Sequence, residues 1–290
     1  MRRRGSYPAT FLLPGFAVYL LFFIVPTVAS FYYSLTDWNL NTTSAKFIGI
    51  ANFTQLFSDA ELVAAIWHTL VYAIGVTLIR NLIGLVLALM LNAKIKGENV
   101  FRTVFFMPYV IAPIVIGYLF TAVYDPTNGP LNQLLRAVGL GVLTHAWLSN
   151  PNLALSATIM TEVWRTSGFA MVIFLAGLQV IPSELFESAD LDGAGFFGKF
   201  FYVMFPLLAP AVTINLVLSI IGTMKVFVMI LVLTDGGPGF ATQVMNTYIL
   251  HFFSIGLYGY GTAANLVLSA LITAIGLPVL FALRRREVEL

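Results

Sequence analysis

Cysteine is absent from this chain, and charged side chains are scarce. Without cysteine there is no disulfide framework and no thiolate chemistry. Only 10% of the 290 residues are charged, whereas a soluble domain has about 25% charged residues. The composition is instead 59% hydrophobic with 25 phenylalanines, and the mean hydropathy is +0.90. These values exclude an ordinary soluble domain and indicate a protein whose solvent is largely the lipid bilayer.

A catalytic or metal-binding set of residues is also missing from the sequence. The histidines are isolated and show no ligand spacing: His68, His145 and His251. Serine and threonine are plentiful, but no histidine or aspartate is placed to activate one of them. The stretch from Gly193 to Lys199 approaches a phosphate-binding loop, but Phe200 stands where Ser or Thr is required and no strand precedes it. The chain is therefore not expected to be an enzyme, to hold a metal or cofactor, or to bind nucleotide or nucleic acid.

Six apolar stretches are long enough to cross a bilayer, which takes about 20 helical residues. They cover residues 9–35, 62–91, 103–124, 153–180, 207–233 and 262–283. The first stretch follows three arginines, as in a signal peptide, but it is far longer than the apolar core of about 7–15 residues typical of those peptides. We therefore predict a retained first span. Pro108 and Pro113 predict kinks in the third span, where neighbouring helices can satisfy the freed carbonyl groups.

The positions of lysine and arginine predict the orientation of these spans. If both termini face the cytoplasm, the inner segments contain ten basic residues: Arg2, Arg3, Arg4, Lys94, Lys96, Arg102, Lys199, Arg284, Arg285 and Arg286. The outer segments contain only Lys46 and Arg136. Because cytoplasmic loops are enriched in basic residues, we predict an all-α polytopic membrane protein with six transmembrane helices and both termini in the cytoplasm.

This topology divides the chain into four predicted parts. Residues 1–8 form a cytoplasmic N-terminus, and residues 9–61 form the first transmembrane helix with an outer loop. Residues 62–283 form the main membrane domain, and residues 284–290 form a basic cytoplasmic C-terminus.

An acidic segment separates the fourth and fifth apolar stretches. Four carboxylates fall within nine positions: Glu184, Glu187, Asp190 and Asp192. Pro182 predicts the end of the preceding helix, and Ser183 predicts an N-cap for a short helix whose first turn favours acidic side chains. Gly193 predicts a turn. Aromatic residues at helical spacing then predict a second short helix, which Pro206 closes. On the cytoplasmic side, such a helix pair is either a docking surface or a solvated connector.

The acidic segment resembles the EAA loop of bacterial ABC importer permeases. The matching residues are Glu187-Ser188-Ala189, Asp192-Gly193-Ala194, Phe200, Val203 and Pro206. Ser188 replaces the middle alanine of the family pattern, and Phe205 replaces the usual leucine before the proline. Residues 225–227 and 233–238 resemble a segment of sugar permeases, although Val228 stands where an aspartate is usual. The likeness covers nearly the whole chain and is nearest to the first permease subunit of maltose/glycerol-phosphate-type importers.

The resemblance implies a type I ABC importer transmembrane domain that forms half of a sugar pathway in a bacterial or archaeal plasma membrane. The implied partners are a second permease subunit, two copies of a cytoplasmic ATPase that holds ATP and Mg, and an extracytoplasmic solute-binding protein. The loop at residues 182–206 would couple to the ATPase through Glu184, Glu187, Ser188, Ala189, Asp192, Gly193, Ala194 and Pro206. The alternatives are a permease for glycerol phosphate or a polyol, a stand-alone secondary transporter, and a membrane-embedded enzyme.

Polar side chains within the spans are candidates for the sugar path, because ionisable groups in a membrane are costly and usually functional. Glu162 and Arg165 are spaced to pair on one helical face, and Trp164 beside them offers an aromatic surface. The alternative for this group is a structural ion pair. Lys225 either faces the path or extends to the membrane surface, and Arg80 is predicted to anchor at the interface. Two amides are expected to be buried, bonding either a sugar or a neighbouring helix: Asn215 and Asn265.

Overall fold

The structure is a computed structural model that describes residues 9–93 and 96–285, and nearly all of this part is helical or turn. The α-helices are α1 (Leu13–Tyr19), α2 (Val25–Ser34), α3 (Ala51–Ser58), α4 (Ala60–Asn92), α5 (Glu98–Val110), α6 (Pro113–Val123), α7 (Pro130–Ala137), α8 (Ala154–Val180), α9 (Ser183–Leu191), α10 (Phe196–Lys199), α11 (Phe205–Leu207), α12 (Ala209–Met224), α13 (Val228–Leu233), α14 (Met245–Ser254) and α15 (Tyr258–Arg284). Short 3-10 turns occupy Ala9–Leu12 and Gly141–Leu143, and π-helical turns occupy Leu20–Ile24 and Phe200–Met204. Within the described residues, β-structure is limited to one antiparallel bridge between Thr36 and Phe47.

Four continuous helical stretches are long and apolar enough to cross a membrane: Leu13–Ser34, Ala60–Asn92, Ala154–Val180 and Tyr258–Arg284. Helices suit this role because they satisfy their backbone polar groups internally, where no water is present. Two further helix pairs qualify only as bent pairs, so the described residues contain four to six candidate spans. Five of the ten basic residues used to predict orientation lie outside the described residues: Arg2, Arg3, Arg4, Lys94 and Arg286.

The third predicted span is sharply bent, and the kink predicted from Pro113 is present. Helices α5 and α6 meet at an angle of 97°. Ile111 and Ala112 between them are extended, with ψ of 136° and 134°. The residue before a proline avoids the helical region because the proline ring crowds it, and Ala112 precedes Pro113. Pro108, in contrast, lies inside α5 without ending it.

The fifth predicted span is also interrupted. The helical stretch Phe196–Leu207 bends by 66° before α12, and Pro206 lies within that stretch rather than closing it. Pro210 accounts for the bend, since it has no N–H to donate to the Pro206 carbonyl and its ring would clash there. A second break follows Met224, after which α13 begins at Val228.

The chain forms two compact units. One unit contains the chain up to Ala60 together with Ile249–Ala270. In it, the Trp38 ring contacts the rings of Tyr33 and Tyr258 at centroid distances of 4.5 and 4.9 Å. The apolar window of Leu13–Ser34 has none of its residues buried within the chain.

The second unit contains Glu61–Tyr248 and Leu271–Leu290, and α8 lies at the centre of its packing. Helix α8 packs against α5, α6, α12 and α13. Glycines allow close contacts with three neighbouring helices: Gly168 with α5, Gly84 of α4 with Ala170, and Gly177 with Ala211 of α12. The contact at Gly168 is the tightest, because an added Cβ would lie 1.9 Å from the Phe105 carbonyl oxygen.

We expect Gly168→Ala to destabilise the protein, because its methyl group would push α5 away from α8. Overpacking of a tight contact costs about 1–3 kcal/mol, so the midpoint of thermal unfolding should fall. Gly276→Ala in α15 is the control, since its nearest neighbour would be Ile221 Cγ1 at an ordinary 3.8 Å. An equal midpoint for the two variants would contradict the close approach at Gly168.

Candidate functional site

The acidic segment folds into a short helix, α9, which two residues connect to α8. Helix α9 begins at Ser183, directly after Pro182, which is extended with ψ of 137°. Ser183 is therefore the first helical residue, and the prediction that its side chain caps the helix is wrong because no such hydrogen bond forms. Glu184 lies in the first turn, where the positive end of the helix dipole favours a carboxylate.

Gly193 ends α9 in a left-handed turn. Its φ angle is +76°, a conformation that disfavours any side chain. The Gly193 N–H donates to the Asp190 carbonyl at 3.0 Å, and the Ala194 N–H donates to the Ala189 carbonyl at 2.9 Å. These two bonds form a Schellman motif, which satisfies the last carbonyls of the helix. The predicted turn at Gly193 is thus present, with a defined reason for glycine.

The two short helices are held together and anchored at one point. Lys199 of α10 forms an ion pair with Asp190 of α9. Phe186 is half-buried and packs against a buried cluster formed by α4, α8 and α12 together with Ile181 and Leu208, which flank the last two helices. The segment is therefore attached to the core of the second unit and is not a loose connector.

The rest of the acidic segment is accessible. Glu184, Glu187, Ser188, Asp192 and Gly193 are exposed, and Ala189 and Ala194 are half-buried. Leu191 is 90% exposed, an unusual position for a large apolar side chain at a helix end. Exposed aromatic rings follow on the next stretch: Phe196, Phe197, Phe201 and Tyr202. The surface thus combines carboxylates with apolar groups, which suits docking to a partner of mixed basic and apolar character.

Glu162 and Arg165 pair on α8 as their spacing predicts. Arg165 Nε donates to Glu162 Oε2 at 3.0 Å, and Arg165 Nη2 donates to Glu162 Oε1 at 2.6 Å. The side chains are 11% and 14% exposed, respectively. Two parallel bonds give this pair a fixed geometry in a poorly hydrated place.

Two arginines flank a stacked pair of aromatic rings in the same unit. Tyr109 stacks on Phe169 at a centroid distance of 4.5 Å. Arg165 lies over the Tyr109 ring at 5.7 Å, and Arg80 lies over the Phe169 ring at 5.8 Å. Both arginines therefore gain attraction from an aromatic face.

Arg80 is buried, and the prediction of an interfacial anchor is wrong. It is 6% exposed, and its Nε and one terminal nitrogen have no hydrogen-bond partner within the described residues. The hydropathy profile could not reveal this, because it places a residue along the helix and not around it.

A small cavity with polar and apolar walls brings three of the predicted residues together. It has a volume of about 190 Å³, and its wall includes Glu162, Arg165 and Lys225. The break after α12 places Lys225 here, at the C-terminus of that helix, where a cation is favoured. Lys225 is exposed and forms no ion pair with any other residue that the structure describes. Since Glu162 and Arg165 neutralise each other, Lys225 supplies the net charge of the cavity.

The remaining predicted residues lie elsewhere. Trp164 packs on Phe120 at 5.2 Å and lines a separate, mainly apolar cavity of about 510 Å³. Asn215 is fully buried and donates to the Ala170 carbonyl at 3.1 Å, which is the interhelical alternative. Asn265 is exposed, so the prediction of a buried amide is wrong. The apolar stretch around it gave no indication of which face is buried.

Sequence reasoning missed Asn81, which is buried and donates to Ser219 Oγ at 3.0 Å.

The sequence profile of one protein family matches residues 80–286, which is most of the chain. Proteins of that family are described as binding-protein-dependent transport system inner membrane components. The chain belongs to this family. It is therefore a multi-pass membrane permease of an ABC transporter, a transport component.

Two relatives show how far the similarity extends. The probable ABC transporter permease protein YurN of Bacillus subtilis is 36% identical over 273 residues, which cover 93% of each chain. The trehalose/maltose transport system permease protein MalF of Thermococcus litoralis is 31% identical, covering 90% of this chain and 88% of the relative.

A solved structure has the same fold. It is a bacterial alginate ABC transporter in complex with alginate pentasaccharide-bound periplasmic protein, and its matching chain is 25% identical with a TM-score of 0.83. The match covers 95% of this chain and 93% of that one. The permease therefore has the fold of a type I ABC importer transmembrane domain.

We expect Glu162→Ala to destabilise the permease more than the double variant Glu162→Ala/Arg165→Ala. Removing one partner of a buried pair costs about 3–5 kcal/mol because it leaves the other charge unpaired. Thermal unfolding of both single variants and the double variant would complete the cycle. Additive effects of the two single changes would contradict an energetically coupled pair.

Proposed function

We propose that the chain is one of two permease subunits in an ATP-driven, binding-protein-dependent importer of mono- or oligosaccharides. The observation that supports this most directly is the full-length similarity to the trehalose/maltose permease. The likeness to the alginate transporter chain agrees with a saccharide substrate. This similarity favours a sugar over glycerol phosphate. In this proposal, ATP and Mg bind a separate ATPase, present in two copies, and an extracytoplasmic binding protein delivers the sugar.

The proposed topology has six spans with both termini in the cytoplasm. It counts α5 with α6 as one span and begins the fifth span at residue 207, so that residues 182–206 remain in the cytoplasmic loop. The bias of basic residues towards the inner segments supports this orientation. Residues 62–283 then form the permease domain, with residues 1–8 and 284–290 as cytoplasmic ends and residues 9–61 as the first helix and outer loop.

Helix α9 is the proposed coupling helix. Its exposed carboxylates and Leu191 would enter a cleft of the ATPase, while Phe186 and the Lys199–Asp190 pair keep α9 in a fixed position on the permease. Movement of the ATPase would pass into α8 through Pro182 and into α12 through the bend at Leu208. Pro206 lies inside a helix, so it would move together with that helix and would not be the position at which the chain bends.

The cavity at Glu162, Arg165 and Lys225 is the proposed contact with the sugar. Its carboxylate, guanidinium and ammonium groups offer both acceptors and donors to hydroxyl groups, which charge-assisted bonds recognise strongly. Trp164, Asn215 and Asn265 do not share this cavity and are weaker candidates.

The coupling proposal predicts that Gly193→Ala weakens ATPase docking while Gly195→Ala does not. Both glycines are exposed with open space around them, but only Gly193 has a positive φ. A Cβ in the left-handed region costs about 1–2 kcal/mol, which corresponds to roughly a 5–30-fold weaker interaction. Co-purification of the ATPase and hydrolysis stimulated by loaded binding protein would measure this effect. Equal coupling in the two variants would refute the role of the turn.

The substrate proposal predicts ATP-dependent uptake of neutral sugars by the complete transporter in proteoliposomes, and no uptake by the permease alone. Lys225→Met should raise the apparent KM roughly 10-fold or more, the effect of losing one charge-assisted hydrogen bond. Arg285→Gln, a remote and exposed cation, is the control and should leave KM unchanged. Uptake of glycerol phosphate instead of sugars would overturn the substrate class.

A further inference from the structure

An apolar groove, separate from the apolar cavity at Trp164, runs along one face of α5. Thr103, Phe106, Met107 and Val110 line it together with Val172 of α8, and its volume is about 390 Å³. The four α5 residues follow the i, i+3, i+4, i+7 spacing of a single helical stripe. From residue 102 to 110 the helix rises about 12 Å, so the lining residues of α5 extend over about that length.

Arg102 closes one end of this groove. Its Nε is buried and has no hydrogen-bond partner among the described residues. Glu98 lies one helical turn earlier, yet no ion pair forms between it and Arg102 within the described part of the chain. A buried donor without an acceptor is costly, so the Nε of Arg102 lacks an acceptor that the functional protein is expected to supply.

The groove and the guanidinium together match the two halves of a lipid. Apolar walls accept an acyl chain, and a guanidinium forms paired hydrogen bonds with phosphate oxygens. A sugar would find almost no polar group here except Thr103 and Arg102. In the proposed orientation Arg102 lies at the cytoplasmic end of its span, six residues after exposed Lys96. Basic pockets between helices on that side favour anionic headgroups.

We propose that this groove binds one anionic phospholipid of the cytoplasmic leaflet, with its phosphate on Arg102 and an acyl chain along Phe106, Met107 and Val110. The site is separate from the sugar cavity and depends on the proposed topology only for the choice of leaflet. The competing occupant is the second permease subunit, which would exclude lipid from the groove.

The test uses the complete transporter in nanodiscs of phosphatidylcholine mixed with phosphatidylglycerol. Native mass spectrometry after release into detergent would count the retained lipids. We expect one phosphatidylglycerol on the wild type and roughly 10-fold or lower retention in Arg102→Gln. Lys96→Gln is the matched control, because it removes a nearby exposed cation that does not line the groove, and it should retain the lipid.

A second variant keeps the charge and fills the groove. Val110→Trp should also lose the retained lipid, which separates acyl-chain binding from simple attraction to a cation. Equal retention in the wild type and Arg102→Gln would overturn the proposal, as would loss of the second subunit from Val110→Trp. Sugar-stimulated ATP hydrolysis in pure phosphatidylcholine would report on the proposed function independently, since it does not require the anionic lipid to be present.

Discussion

Close contact between helix backbones is the constraint on which the second unit depends. In a bilayer the hydrophobic effect does not drive helices together, because lipid tails are as apolar as leucine, so packing must do so. Helix α8 meets α4, α5 and α12 through Gly84, Gly168 and Gly177. The contact at Gly168 also brings Tyr109 of α5 onto Phe169, one residue along α8. The close approach at Gly168 thus lies next to the two rings that Arg165 and Arg80 contact.

The two candidate sites share α8 as a common support. Glu162 and Arg165 lie in its first half, and Ile181 at its end belongs to the cluster that holds Phe186 of α9. Because α9 follows α8 after only two residues, a displacement of α9 cannot be absorbed by a flexible linker. The proposed coupling to a separate ATPase requires a rigid connection of this kind.

Hydropathy and turn chemistry were sufficient to predict the apolar stretches and the turn at Gly193. Both can be recognised from local composition. The lipid solvent requires the apolar stretches, and backbone sterics require glycine at the turn. Pro113 predicted the bend near Ala112 but not its angle of 97°. The break after Met224 was not predictable, since no proline lies between Met224 and Val228 and an apolar run looks alike whether its helix is straight or bent. The burial of Arg80 and the exposure of Asn265 were missed for a related reason. Membrane helices are apolar on all sides, so their sequence does not show which side faces a neighbour.

The capping error at Ser183 has a different origin. Pro182 takes the extended position before the helix, so the serine moves one place inward and its hydroxyl is no longer placed to cap. A prediction based on residue preference alone does not resolve a shift of one residue.

The apolar side chains of the first helical stretch, Leu13–Ser34, are not covered by the rest of the chain, and this affects the stretch when the protein is outside a membrane. None of its apolar window is buried within the chain, so packing against the rest of the chain contributes little to its helical order outside the contact of Tyr33 with Trp38. Its stability comes from the surrounding hydrocarbon, which penalises every unpaired peptide group. In detergent, where water reaches the backbone more readily, amide hydrogens of this stretch would exchange well before those of α8.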